Sequence, residues 1–112
     1  MSEGINTIKN MVAEVLEFVN ELRDDIPGNQ LNDLRSRLQF VRNTVIENEK
    51  KIWLRTKKGK ELISDLSGKT ERLLESIKET QVSANFESVL QEMEERAKEI
   101  VEEIRKRSMV VT

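Results

Sequence analysis

The sequence predicts an all-α domain, a bundle of about four antiparallel helices, on three observations. Apolar residues recur at alternating spacings of three and four along most of the chain, the pattern that lines one side of a helix. Helix formers dominate, with only one Pro and four Gly in 112 residues. Charged residues make up 36% of the chain, yet the net charge is only −2, so self-repulsion does not hold it open. At this length a single domain over residues 1–112 can bury a continuous seam without disulfides or metals.

The first helix is drawn by Ile5, Ile8, Val12, Val15, Val19, Leu22 and Ile26, with Ser2 as its N-cap. Pro27-Gly28-Asn29 then supplies a stop, a residue suited to a left-handed conformation and a new cap. The second helix carries Leu31, Leu34, Leu38, Val41, Val45, Asn48 and Ile52. Asn48 is a polar residue at a seam position, either a device for fixing register and oligomeric state or a solvated residue near a helix end.

Gly59 marks the expected turn into the third helix, which carries Leu62, Ile63, Leu66, Thr70, Leu73, Leu74 and Ile77 and a possible irregularity at Gly68. Without a turn at Gly59, helices two and three would form one long central helix of about 75 Å. Two flanking helices would then need dimerisation to complete the core. The fourth helix carries Phe86, Leu90, Met93, Ala97, Ile100 and Ile104, capped by Ser83 or Asn85. Arg105-Lys106-Arg107 is placed in its last turn, beside the negative end of the helix dipole, and residues 108–112 are read as a flexible tail.

The sequence has no Cys, His or Tyr, which removes most nucleophilic, thiolate and imidazole chemistry. Catalysis or metal binding would rest on carboxylates. The pairs Glu14-x-x-Glu17 and Glu21-x-x-Asp24 resemble those of all-α nucleotide pyrophosphohydrolases, in which such pairs lie on different helices and converge on magnesium. Here both pairs fall on one helix, opposite its seam, as do Glu92, Glu95, Glu99 and Glu102 on the fourth. Metal sites inside bundles need carboxylates that project inward from facing helices. Gly68-Lys69-Thr70 is likewise only the tail of a phosphate-binding loop, because Ile63 stands where the first glycine belongs. No catalytic, cofactor-binding or metal-ligating residue is assigned, and no family is claimed.

Charge is unevenly distributed. Residues 1–30 carry two basic and six acidic groups, for −4, whereas residues 31–60 carry nine basic and three acidic, for +6. Lys50, Lys51, Arg55, Lys57, Lys58 and Lys60 crowd around Trp53 and form a candidate anion contact. They could equally complement the acidic first helix or an acidic partner.

Large apolar residues off the seam are the strongest functional signal. On the second helix, Phe40, Ile46, Trp53 and Leu54 point away from the seam, whereas Met11, Leu16 and Phe18 only widen the first helix's stripe. A second apolar face points to a partner chain. The expected function is that of a non-enzymatic helical interaction or scaffold protein. It would act as a homo-oligomer, a dimer first, or with another protein. A nucleic-acid-associated protein using Lys50–Lys60 is the alternative, and a carboxylate-metal nucleotide hydrolase a distant third. No run approaches the ~20 apolar residues of a membrane span, and the start lacks a secretory pattern, so a cytoplasmic protein is expected.

Overall fold

Each of the four apolar seams folds as a helix. The structure, a computed structural model, describes residues 3–111, with side chains described for residues 4–107. The helices are α1 (Glu3–Glu21), α2 (Gly28–Asn48), α3 (Lys57–Thr80) and α4 (Ala84–Val111), with a short 3-10 turn (Ile52–Arg55) between α2 and α3. No strand occurs among the described residues.

The seams meet in one core. Ile8, Val12, Val15 and Val19 of α1 face Leu34, Leu38 and Val41 of α2, Leu66 and Leu73 of α3, and Phe86, Leu90, Met93 and Ile100 of α4. Met11, Leu16 and Phe18 are half-buried against this core and widen it. Thr70 occupies a seam position at no hydrogen-bonding cost, because its hydroxyl donates to the Leu66 carbonyl at 2.7 Å.

Neighbour relations set the topology. α1 packs on α2 and α3, and α4 packs on the same two, so α2 and α3 lie across the diagonal. Lys9 bonds Glu49 and Arg35 bonds Asn20, which makes α1 and α2 antiparallel. Arg96 meets Asp65 and Lys58 meets Glu103, which does the same for α3 and α4. Gly4 abuts Ile63, so α1 and α3 start at the same end and run parallel. Successive helices therefore alternate in direction, while the connection from α2 to α3 crosses one end of the bundle.

That connection differs from the expected turn at Gly59. α2 stops at Asn48, Lys51 is extended, and the 3-10 turn follows. Thr56 then caps α3, its hydroxyl accepting from the Gly59 amide at 3.2 Å. Gly59 thus lies inside the first turn of α3, where the start of the helix presses on the preceding turn. A Cβ there would stand 2.5 Å from the Trp53 carbonyl oxygen and 2.6 Å from the Leu54 Cα. The two-helix separation also rules out the single long central helix. Gly68 causes no irregularity, because α3 runs through it unbroken.

Other boundaries shift for local reasons. α1 ends at Glu21, so Leu22 and Ile26 pack from a turn, half-buried, rather than from a continuing seam. Gly28 opens α2 without a positive φ, and the Pro27 carbonyl accepts from Leu31 at 2.9 Å, so Gly28 is no left-handed stop and Asn29 lies inside the helix. Ser83 caps α4 by accepting from the Phe86 amide at 3.2 Å. α4 is helical to Val111, which takes in the backbone read as a tail and leaves Arg105–Arg107 short of the last turn. Ser2, the expected cap of α1, and Thr112 lie outside the described residues.

The two glycines of α3 predict opposite effects of one methyl group. Gly59→Ala should destabilise by about 1–3 kcal/mol, the usual cost of overpacking against atoms that cannot yield. Gly68→Ala meets nothing within 4 Å, and should stabilise by about 0.5–1 kcal/mol through helix propensity. Urea unfolding midpoints of the two variants check both signs.

Candidate interaction surfaces

The four residues expected to form one outer face divide into two pairs. Trp53 and Leu54 are only 7% and 6% exposed and belong to the chain's own core. The helical angle that placed them outside α2 does not apply, because α2 has already ended and the 3-10 turn folds them inward. Phe40 stays 36% exposed on α2, with Ile46 half-buried beside the same face.

Ile52, expected in the α2 seam, is instead 78% exposed at the crossing end of the bundle. Asn48 ends α2, and its side-chain amide donates to the Thr44 carbonyl at 2.8 Å. That bond is within its own helix, and Asn48 is half-buried at the last position of α2.

The guanidinium of Arg107 lies 4.8 Å from the Trp53 ring centroid, a cation–π arrangement. The Trp53 indole Nε1 is buried without a hydrogen-bond partner. Such an orphan costs about 1–3 kcal/mol. Burying an indole removes roughly 200 Å² from water, worth about 5 kcal/mol, so ring burial outweighs the lost bond.

The arginines of α2 are spent within the bundle. Arg37 reaches Glu94 of α4 at 2.8 Å, while Arg42 and Arg35 donate to the Lys9 carbonyl and the Asn20 amide oxygen of α1. α2 therefore answers the carboxylates of α4 more than those of α1. The six cations of the Lys50–Lys60 region are all exposed, and among the described residues only Lys58 has an ion-pair partner, Glu103 at 2.7 Å.

Once those arginines are accounted for, the outer face of α2 is unusually bare of charge. Asn32, Ser36, Gln39 and Asn43 recur at spacings of four, three and four and are all exposed. Phe40 and Ile46 flank this stripe. Asp33 and Glu47 are the only charged residues among the exposed positions of α2, and Asp33 is paired with Arg37 at 3.5 Å. The exposed positions of α3 and α4, by contrast, are mostly Lys, Arg, Asp and Glu. Sequence reading missed this stripe because it sought apolar residues, whereas the signal was missing charge.

Glu14, Glu17, Glu21 and Asp24 are exposed, the first three on α1 and Asp24 in the turn after it. Among the described residues no three His, Cys, Asp or Glu side chains are grouped so as to hold a metal ion. A groove of 710 Å³ follows α1 and α3 past Gly4, Thr7, Ser64, Ser67 and Gly68, where small side chains leave room at the surface. No helix of the described residues is long and apolar enough to cross a membrane. Comparison with known protein families, with curated proteins and with solved structures finds no match.

Two carboxylates are tuned by cations across the α3–α4 interface. The Arg96 guanidinium bonded to Asp65 holds that carboxyl below its usual range, with Lys69 adding to the effect. Lys58 and then Arg107 lower Glu103 from 4.5 to about 2. A depressed carboxyl pKa stabilises the folded state above the unfolded value, and that contribution is lost as pH falls through the folded one. The stability difference between wild type and Glu103→Gln should therefore be constant above pH 4.5 and shrink as pH falls towards about 2. Urea unfolding of both proteins across that window measures it, and a difference that does not vary with pH would contradict the ion-pair assignment.

Proposed function

We propose that this chain is a non-enzymatic helical interaction protein that acts by associating with a second copy of itself through the outer face of α2. The observation that carries this reading is the charge-free stripe of Asn32, Ser36, Gln39 and Asn43 flanked by Phe40 and Ile46. Interface centres are depleted in charge and enriched in aromatic side chains. In a chain with 36% charged residues, a helix face with so little charge is unlike the surface around it.

A helix stripe at heptad-like spacing also suits an isologous contact. Two copies of α2 related by a twofold axis present the same residues to each other, so one face serves both sides. The amide side chains can donate and accept across such a contact, and Phe40, 36% exposed, supplies an aromatic anchor. A distinct protein with a similar helix face could occupy the same surface.

The scaffold reading is supported by what the remaining carboxylates do. Asp65, Glu94 and Glu103 are engaged by Arg or Lys of neighbouring helices, which uses them to hold the bundle. Glu14, Glu17 and Glu21 face solvent.

Light scattering tests the association. The wild type should show twice the mass of one chain, and Gln39→Lys with Asn43→Lys should show the mass of one chain with helicity unchanged. Both positions are exposed, so the fold should shift by less than about 0.5 kcal/mol. A wild type that stays at the mass of one chain at high concentration would defeat this reading.

A further inference from the structure

The crossing end of the bundle combines a protruding apolar residue with charge of one sign. Ile52 is 78% exposed, more than any other large apolar residue of the described chain. Lys50, Lys51, Arg55 and Lys57 lie within five residues of it and are exposed, as is Lys60 one helical turn further on. Lys106 of α4 is exposed at the same end, near Arg107, which covers Trp53. None of these six cations has an ion-pair partner among the described residues.

Acidic groups at this end are largely occupied. Lys9 holds Glu49, Lys58 and Arg107 hold Glu103, and Arg105 holds Glu102, leaving Glu47 and Glu61 exposed among the described side chains. The opposite end is the reverse. Glu21, Asp24, Asp25 and Glu79 are exposed there against Arg23 and Lys78. Inter-helix ion pairs along the middle of the bundle, such as Arg37 with Glu94 and Arg96 with Asp65, join opposite charges, whereas the exposed charges at its two ends are segregated by sign. Segregation costs like-charge repulsion within each end, which a surface of opposite charge would relieve.

We propose that this basic end docks on an anionic phospholipid surface, with Ile52 entering the interface and the surrounding cations meeting headgroups. Area decides between a membrane and a folded partner. The bundle measures 49 × 25 × 19 Å, so its end is the smallest face it offers, whereas each partner in a stable protein interface contributes about 800 Å². A lipid surface needs no matched area, because every cation within a Debye length of it adds affinity independently, about fivefold each. The end carries mainly Lys, which meets a plane of mobile headgroups without requiring fixed geometry. The acidic far end is repelled by the same surface, which orients the long axis away from it. This inference does not rest on the α2 face, and failure of either leaves the other standing.

Vesicle cosedimentation of the full chain tests it. The protein should bind vesicles of equal parts phosphatidylcholine and phosphatidylserine at low salt, lose that binding as salt rises, and not bind phosphatidylcholine alone. Lys50→Gln with Lys51→Gln should weaken binding by more than about tenfold. Ile52→Asn should weaken it several-fold while leaving its salt dependence and the unfolding midpoint unchanged, because Ile52 contributes little to the core. Absence of binding to the phosphatidylserine vesicles would overturn the proposal. So would binding to duplex DNA that is at least as tight and indifferent to Ile52→Asn, which would make the basic end a nucleic-acid contact.

Discussion

The contact between Gly59 and the Trp53 carbonyl is what allows one chain to close this bundle. α2 and α3 stand on a diagonal, so the chain must cross the end of the core within the eight residues between Asn48 and Lys57. It does so by leaving the helix at Asn48, turning Trp53 and Leu54 inward and restarting at Thr56. The restart is possible only if α3 begins directly against that turn, and a side chain on Gly59 would hold them apart. Trp53 then plugs the end of the core, with Arg107 of α4 laid over the ring.

The same crossing explains the surface. Because Trp53 and Leu54 are drawn inward, Ile52 and the cations around them are left outside at one end of an elongated molecule. Lys58 is the exception, since the antiparallel run of α3 and α4 brings it to Glu103. Elsewhere the helices satisfy one another. Arg37 ties α2 to α4, and Arg96 ties α4 to α3, so charges that could repel along the bundle instead fix its register. The basic end, the acidic end and the uncharged stripe of α2 stand apart from this cross-linked surface, as do the solvent-facing carboxylates of α1.

Most of the fold was legible because heptad spacing reports directly which side of a helix is buried. Ile8, Val12, Leu34, Leu38, Leu66, Leu73, Leu90 and Met93 all lie where the period places them. The junction was not legible, because the apolar period continues numerically from Val45 to Ile52 although the helix stops at Asn48. Thr56, three residues before Gly59, caps α3, so the helix begins ahead of the glycine at which the spacing places the turn. Once the register was carried across the junction, Trp53 and Leu54 fell on the wrong side and Ile52 with them. The uncharged face of α2 was hidden for a different reason. Its meaning depends on the partners of Arg35, Arg37 and Arg42, which sequence spacing does not reveal.

Trp53 is the single indole of the chain, so its fluorescence reports on the closure directly. If the crossing turn buries it within one chain, its emission is blue-shifted, resists quenching by iodide and does not change as the protein is diluted. Emission that is red-shifted in the folded protein, or that shifts red on dilution while helicity persists, would place the indole in solvent or between chains and contradict the closure described here.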